Sequence, residues 1–319
     1  MSHVLDPSKL RGLLPTLRQN LAALAAAKPV NRFPEPGAAV AAVFRWKEER
    51  ERRTLELLFI RRSINERDTW SGQVAFPGGR RQKKTASPAA AIAEAGAAGG
   101  ALSDQWETSL ETATRETMEE IGLDLNQPHV HWIGRLPTLQ THIRTFFVGT
   151  EVFFLDETAA EDTFVPVIQD KEVADVFWVD VQELFNPVRY QPFVWPMDDL
   201  VPMMRHHPLL KTAVQKVLGD MRFGSIYLPR PNHPPPDDDP APRERFDFIL
   251  WGLTMRMVSD LFTIGNIPLP MDIDVQPHFQ SRRLGDVVVF TLRYPQAALK
   301  RAMGVAAACT ALGFVASRL

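Results

Sequence analysis

The segment WETSLETATRETMEEIGLDL, residues 106–125, places many acidic side chains in a short stretch that favours a helix. Thr108 followed three residues later by Glu111 is a capping-box pattern, and Gly122 is typical of the residue that ends a helix. These signals predict one helix from Ser109 to Ile121, with the acidic residues inside it.

Three glutamates of this predicted helix share one face. Glu116 lies three residues before Glu119 and four before Glu120. Like-charged pairs at this spacing each cost about 0.2–0.5 kcal/mol in an isolated helix. A bound Mg²⁺ or Mn²⁺ would offset the repulsion, because these ions take oxygen ligands and leave coordination positions for water and substrate phosphates. The alternative is a solvated acidic face, which is common on surface helices.

The overall composition is that of a globular protein with a sizeable core. The chain has 319 residues, of which 45% are hydrophobic and 23% charged. Its net charge of -2 gives no global field that would attract nucleic acid or an anionic membrane, so we expect no nucleic-acid partner. The one cysteine, Cys309, excludes an intrachain disulfide and fits a reducing compartment.

Strand and helix patterns alternate along the chain and predict an α/β domain with a mixed sheet. Strand-like apolar runs occupy residues 39–46, 55–60, 144–155 and 175–179, and helical patterns occupy 109–121 and 246–262. Two stretches interrupt this order, one rich in Ala and Gly (83–104) and one rich in Pro and Asp (229–245). Neither can bury much apolar surface, so we interpret both as flexible insertions.

The N-terminal 30 residues lack the unbroken apolar run of a secretory signal peptide. Arg11 and Arg18, with only Asp6 as an acid, leave a mitochondrial targeting role open. The favoured interpretation is an amphipathic helix that packs on the domain.

The stretch RETMEEIGL, residues 115–123, resembles the end of the Nudix box, G-x5-E-x7-R-E-U-x-E-E-x-G-U, in which U is aliphatic. Thr117 departs from the pattern at the first U, and 27 residues separate Gly79 from Glu107 where the family has five. We interpret the excess of 22 as the Ala/Gly-rich insertion, because loop-closure entropy grows only with the logarithm of length. The matching positions are Glu107, Arg115, Glu116, Glu119, Glu120, Gly122 and Leu123.

This resemblance implies a Nudix α/β/α sandwich with a mixed sheet and a loop-helix-loop metal site. It also implies that Mg²⁺ or Mn²⁺ is bound by Glu116, Glu119, Glu120 and the backbone carbonyl of Gly79. By the same resemblance, Arg115 braces the carboxylates and Glu107 is an outer or structural contributor. The implied activity is hydrolysis of a diphosphate by an activated water.

Upstream, LLFIRRSINERDTWSGQVAFPGG, residues 57–79, is similar to the signature of the coenzyme A diphosphatase branch, L-L-T-x-R-[SA]-x3-R-x3-G-x3-F-P-G-G. Ile60 stands where Thr is usual, and one extra residue lies between Arg67 and Gly72. The resemblance implies cleavage of coenzyme A or acyl-CoA to 3′,5′-ADP and (acyl-)phosphopantetheine. The substrate-binding residues would be Arg62, Arg67, Gly78 and Gly79. Guanidinium groups suit this role because they pair bidentately with phosphate.

Two alternatives stay open at this stage. Another nucleoside diphosphate derivative, such as ADP-ribose or NADH, would need the same metal helix. A catalytically silent Nudix module that binds a nucleotide or a protein would need no acids, and such modules usually lose them. For the general base, Glu172 and Glu161 are the candidates, since related enzymes often place a loop glutamate opposite the metals.

The predicted organisation is an N-terminal helical extension (1–35), a Nudix domain (36–264) with insertions near 81–106 and 229–245, and a C-terminal tail (265–319). The tail ends in Ser317, Arg318 and Leu319, which resembles the S-K-L peroxisomal import signal. We therefore expect a peroxisome or related organelle, with mitochondria or cytosol as alternatives. The uncharged run 302–317 is shorter than the roughly 20 residues that span a bilayer, so no stable membrane span is expected.

Overall fold

The computed structural model describes residues 5–27, 37–49, 52–65, 70–84, 106–140, 146–157, 164–195, 212, 221–229, 248–269 and 278–279. The α-helices of this part are α1 (Pro7–Ala27), α2 (Ser109–Ile121) and α3 (Gly252–Ile264). The strands are β1 (Gly37–Glu49), β2 (Arg52–Arg62), β3 (Val74–Ala75), β4 (Gly78–Arg80), β5 (Val130–Arg135), β6 (Leu139–Gln140), β7 (Phe147–Leu155), β8 (Val173–Asp180), β9 (Phe193–Trp195), β10 (Met221–Phe223), β11 (Ser225–Tyr227), β12 (Ile249–Trp251) and β13 (His278–Phe279). Short 3₁₀ turns follow β8 at Val181–Phe185 and Pro187–Arg189.

A mixed sheet of eight strands forms the centre of the first of two compact units. Its main path runs β3-β2-β1-β7-β5, while β4 pairs with β1, β6 with β7 and β8 with β2. The pairing of β1 with β7 is parallel, and the other pairings are antiparallel. Three of the predicted strand runs lie within β1, β2 and β8, and the run 144–155 overlaps β7, which begins at Phe147.

The two faces of this sheet carry different helices. Side chains alternate along a strand, so Ala39, Ala41 and Val43 of β1 face one core cluster and Ala42 and Phe44 face the other. Helix α2 contributes Ala113 and Ile121 to the first cluster. Helices α1 and α3 contribute to the second, through residues Leu13, Leu17, Met255 and Phe262 among others. The predicted α/β class, with helices on both faces of a mixed sheet, is confirmed.

Helix α1 confirms the amphipathic interpretation of the N-terminus. Its buried residues are Leu10, Leu13, Leu17 and Leu21, which recur at helical spacing. Leu21 also packs against Gly134 of β5, where an added Cβ would lie 2.8 Å from the leucine Cβ. The helix is therefore part of the core of the first unit.

The predicted helix over residues 246–262 is wrong at its start. Residues 249–251 form strand β12, which pairs with β11 through the partners Ser225 and Trp251. The helix begins only at Gly252, whose φ of 62° turns the chain out of the strand. An apolar run that pairs with a distant strand cannot be told from a buried helical segment by its own periodicity. The predicted core role of the Trp and Met residues is confirmed, since Trp251, Met255 and Met257 are buried.

The described residues of the second unit form a three-stranded antiparallel sheet in the order β13-β10-β9. Among the described residues of the whole chain, no helix combines the length and the apolar character that a bilayer crossing requires. The insertions between 85 and 105 and between 230 and 247, and the C-terminal tail after 279, lie outside the described residues.

Candidate active site

Helix α2 begins and ends where its local sequence predicts. The Thr108 side chain accepts a hydrogen bond from the Glu111 N–H at 3.1 Å, and the Glu111 carboxylate accepts one from the Thr108 N–H at 2.7 Å. At the other end, Gly122 has a φ of 74° and donates its N–H to the Met118 carbonyl. These local caps set the two ends of the helix that carries the glutamates.

The glycine pair before the insertion lies directly against two of these glutamates. The Gly78 N–H donates to Oε2 of Glu120 at 2.8 Å. A Cβ added to Gly79 would lie 2.5 Å from the carboxyl carbon of Glu116, so a side chain at position 79 would displace that carboxylate. Gly78 has a φ of 149°, and its missing Cβ allows the backbone of β1 to approach at Ala39. Both glycines are therefore required by contacts and not only by a turn.

Arg115 holds four acidic or carbonyl partners at once. Its Nε and Nη2 bind the two oxygens of Glu107 at 2.6 and 2.9 Å, and its Nη1 binds Glu116 and Glu119, each at 2.8 Å. Nη2 also donates to the carbonyl of Arg80 at 3.0 Å. The hydrogen bonds that the Arg115 guanidinium donates to Glu107, followed by those to Glu116, raise the pKa of Arg115 further above its ordinary value, against the opposing effect of burial. Arg115 thus contacts three carboxylates, and its bracing role stays a prediction of the resemblance.

Glu107 is one of the carboxylates that Arg115 binds. Burial alone would raise the pKa of Glu107, but hydrogen bonds from Arg115, the Gln82 N–H and Thr112 hold it below its ordinary value. Glu107 thus lies in a network of protein donors, consistent with the structural contribution expected from the sequence.

Glu116 and Glu120 are held as buried acids that resist ionisation. Burial raises the pKa of Glu120 to about 8, and the Gly78 N–H and Arg62 only partly oppose it. Burial also raises the pKa of Glu116, against the effect of Arg115 and with added repulsion from Glu119 and Glu172. Glu119 is the exposed member, with half of its side chain accessible. A cation beside these groups would favour their charged forms.

The structure brings Arg62 and Glu172 toward these carboxylates from other elements. Both act electrostatically on Glu120, with Arg62 lowering its pKa and Glu172 raising it, although burial is the larger influence. Arg61, the neighbour of Arg62, lies on the opposite face of the sheet, with its guanidinium 5.5 Å above the ring of Phe248. Two predicted residues, Arg67 and Glu161, lie outside the described residues.

The two ends of the long insertion pair with each other. The glycine turn before the insertion and helix α2 after it therefore lie close together. Lys83 and Trp106 form an antiparallel bridge, and the side chains of Arg81 and Lys83 lie over the Trp106 ring. Gln82 and Glu107 exchange hydrogen bonds at 3.0 Å in both directions. The chain therefore leaves the glycine turn and returns to helix α2 at nearly the same place.

One contact of the site had no signal in the sequence. The segment 164–172 reaches the end of helix α2, where the Val167 N–H donates to the Ile121 carbonyl and the Gln169 N–H to the Glu120 carbonyl. Val167 and Gln169 belong to no motif, and such backbone contacts do not depend on side-chain identity.

The carboxylate set fits a hard divalent cation in its chemistry. Glu116, Glu119 and Glu120 offer oxygen ligands, and burial makes two of these anions unfavourable unless a positive charge is near. Within the described residues, no three His, Cys, Asp or Glu side chains already converge on one point that would hold a metal. Instead, each of the three carboxylates accepts a hydrogen bond from Arg115 or Gly78. To bind a metal, these carboxylates would therefore have to give up hydrogen bonds from Arg115 or Gly78 and coordinate the cation instead.

Three solved structures that are similar to this chain are at most 20% identical to it. They include a NUDIX hydrolase from Alicyclobacillus acidocaldarius (20% identical, covering 48% of this chain and 82% of that one, TM-score 0.31). The NUDIX domain of Shewanella oneidensis NrtR in complex with ADP ribose is 16% identical, with 51% and 84% coverage and a TM-score of 0.30. A Caenorhabditis elegans Ap4A hydrolase is 13% identical, with 57% and 98% coverage and a TM-score of 0.30. At these TM-scores the similarity carries no information about substrate.

Sequence comparison gives the stronger evidence. The uncharacterized protein C14C4.10c of Schizosaccharomyces pombe is 26% identical over 178 residues, which cover 54% of this chain and 46% of the relative. The chain thus matches about half the length of that relative. The family model for the NUDIX domain matches residues 35–202, just over half of the chain. On that match the chain belongs to the NUDIX domain family.

Proposed function

We propose that this chain hydrolyses the diphosphate of coenzyme A or an acyl-CoA, giving 3′,5′-ADP and (acyl-)phosphopantetheine. Membership of the NUDIX family implies a pyrophosphohydrolase. The observation that carries the hydrolase part of the proposal is the set of Glu116, Glu119 and Glu120, braced by Arg115 against the Gly78–Gly79 turn. The choice of coenzyme A rests on the resemblance of residues 57–79 to the coenzyme A diphosphatase signature.

Family members generally use a divalent metal such as Mg²⁺ or Mn²⁺. In this chain Glu116, Glu119, Glu120 and the carbonyl of Gly79 would hold it. When bound, such an ion neutralises charge on the diphosphate and makes water a stronger nucleophile. The role of Arg115 is to keep the carboxylates in place, because its planar guanidinium contacts Glu116 and Glu119 from one side and Glu107 from the other.

Arg62 is the proposed contact for the substrate phosphates. It lies at the end of β2 and acts electrostatically on Glu120, which places its positive charge near the proposed reaction centre. Coenzyme A carries a 3′-phosphate in addition to its diphosphate, so added cations near the glycine turn would favour it. Arg67 is proposed for the same role from the sequence alone.

Glu172 is the proposed general base. It lies near enough to Glu116 and Glu120 to add to the raised pKa that burial gives each of them. In the proposed reaction, a water oxygen forms a bond to one phosphorus, the bridging P–O bond breaks, and the carboxylate of Glu172 accepts the proton of the water. The bridging oxygen leaves with the other phosphate.

The test is turnover with Mg²⁺ and with Mn²⁺ against coenzyme A, acyl-CoA, ADP-ribose and NADH. We expect coenzyme A or its thioesters to give the highest kcat/KM, and Glu119→Gln and Glu120→Gln to lower it by at least about 100-fold. Preference for ADP-ribose or NADH would keep the hydrolase and reject the coenzyme A assignment. An inert wild-type protein, or full activity in both variants, would favour the catalytically silent module.

Arg62→Ala tests the proposed contact with the substrate phosphates. Loss of one charge-assisted phosphate contact should raise KM for coenzyme A by about tenfold or more, and should raise it less for substrates without the 3′-phosphate. Arg53→Ala is the matched control, because Arg53 is an exposed arginine of the same strand that pairs with Glu48. Equal effects of the two variants would reject a specific role for Arg62.

A further inference from the structure

Ser63 ties a turn of the chain to the end of strand β2. Its backbone N–H donates to the carbonyl of Glu172 at 2.9 Å, and its Oγ donates to the carbonyl of Asp170 at 2.8 Å. Ser63 directly follows Arg62, so a single residue connects the strand end that carries Arg62 to the turn that carries Glu172. The serine hydroxyl supplies a hydrogen bond that an alanine side chain cannot make.

The residue just before this turn is bound to helix α2. The Gln169 N–H donates to the carbonyl of Glu120 at 3.0 Å, and both Glu172 and Val173 donate their N–H groups to the Gln169 carbonyl. The Glu120 carbonyl is one of the last four of its helix, which have no partner within the helix. The turn is therefore fixed on one side by the helix and on the other side by Ser63.

These contacts bring three charged residues onto adjoining parts of the structure. Arg62 directly precedes Ser63, Glu172 lies in the turn that Ser63 binds, and the Glu120 carbonyl accepts the N–H of Gln169, three residues before Glu172. Glu172 itself is exposed and begins no regular element, since β8 starts at the next residue. The hydrogen bonds of the turn hold the backbone of Glu172 between Ser63 and the end of helix α2.

We propose that Ser63 is a positioning residue: its hydroxyl fixes the turn Asp170–Glu172 so that the Glu172 carboxylate stays beside Glu116 and Glu120. This inference rests on the proposed function, in which Glu172 accepts the proton of the attacking water. It assigns to Ser63 a role in the catalytic step and none in binding the substrate.

The first measurement is steady-state kinetics of Ser63→Ala. Loss of one hydrogen bond between neutral groups should lower kcat by about three- to tenfold, with KM within about twofold of wild type. Ser63→Thr keeps the hydroxyl and should restore kcat. Ser71→Ala is the matched control in the same loop, because the Ser71 hydroxyl bonds to Asn65 and Ser63, and its kcat should stay within about twofold of wild type.

A double-mutant cycle tests whether Ser63 acts through Glu172. Glu172→Gln should lower kcat by about 100-fold, and Ser63→Ala should then have no further effect. An undiminished effect of Ser63→Ala in the Glu172→Gln protein would overturn the inference, as would full activity of Glu172→Gln. A rise in KM of similar size in both backgrounds would also overturn it, because Ser63 would then contact the substrate.

Amide hydrogen exchange gives a readout that does not need turnover. In Ser63→Ala, but not in Ser71→Ala, the amides of Gln169 to Val173 should exchange faster, while those in the middle of helix α2 stay protected. Unchanged exchange in that segment would reject the positioning role even if the enzyme is active. A wild-type protein inert on every diphosphate, with the exchange difference present, would instead reject the proposed function and leave the hydrogen-bonding role of Ser63 standing.

Discussion

At the scale of single residues, the absence of a side chain at position 79 matters as much as the acids do. The Glu116 carboxylate occupies the space in which any Cβ of residue 79 would lie. A methyl group there must push the carboxylate away from the glycine turn, since the conflicting atoms belong to a buried side chain.

We therefore predict that Gly79→Ala lowers kcat by about 100-fold while the protein still folds. Kinetics with thermal unfolding would measure this. Gly12→Ala is the control, because a Cβ on Gly12 meets no atom within 4 Å, and alanine in a helix interior is favoured over glycine by about 0.5–1 kcal/mol. Gly79→Ala protein with wild-type kcat would show that Glu116 is not held where the site needs it.

The buried carboxyl of Glu120 predicts that the free energy of unfolding and the affinity for metal change in opposite directions with pH. Its folded pKa of about 8 lies above the ordinary value of 4.5, so the folded state keeps a proton that the unfolded state loses between these values. Without metal, the free energy of unfolding should therefore fall as pH rises from 4.5 to about 8, and metal affinity should rise over the same range.

Glu120→Gln removes this titration. In metal-free protein near pH 8.5, its Tm should exceed that of wild type by about 3 °C or more, while near pH 4.5 the two should be similar. Differential scanning calorimetry with a chelator present would measure both. Equal Tm values at the higher pH would mean that the folded carboxyl ionises at its ordinary pKa.

At the scale of elements, helix α2 is defined by its own caps. Reciprocal hydrogen bonds between Thr108 and Glu111 start the helix, and a left-handed Gly122 ends it. Glu116 and Glu120 both contact the glycine turn, because residues four apart lie on the same side of a helix.

We predict that Thr108→Ala lowers the free energy of unfolding by about 1 kcal/mol, and that Thr108→Ser retains wild-type stability. Urea denaturation followed by circular dichroism would measure the change. Because Thr108 contacts none of the proposed metal ligands, kcat should fall by no more than about twofold in either variant. A large loss of activity with unchanged stability would place Thr108 in the site itself.

At the scale of the whole molecule, the N-terminal helix belongs to the core of the first unit. Its four buried leucines share a hydrophobic cluster with residues of helix α3, which lies more than 200 residues later in the chain. The expected boundary between an extension at 1–35 and the domain stays a prediction. Helix α1 covers apolar surface of the sheet that would otherwise be exposed.

We propose a peroxisomal address from Ser317, Arg318 and Leu319, which lie outside the described residues. Deletion of these three residues should leave an N-terminally tagged protein in the cytosol, because the import signal is read at the free C-terminus. Fluorescence microscopy with a peroxisomal marker would measure the location. An unchanged location after the deletion would favour the mitochondrial or cytosolic alternatives.

The sequence by itself determined the features that depend on neighbours along the chain. The bounds of helix α2, its capping box and its glycine stop rest on contacts within four residues, and the shared face of Glu116 and Glu120 follows from helical periodicity. The strand runs were also predictable, because short continuous apolar runs are typical of strands buried on both faces.

Only the tertiary structure decided the features that depend on distant partners. Residues 249–251 form a strand and not a helix because β11 supplies their hydrogen bonds. Alternation predicts that Arg61 and Arg62 point to opposite faces, but only the packed sheet decides which of the two lies on the side of helix α2. The turn before β8 contacts helix α2 through backbone groups. Every residue carries such groups, so no side-chain pattern could predict the contact.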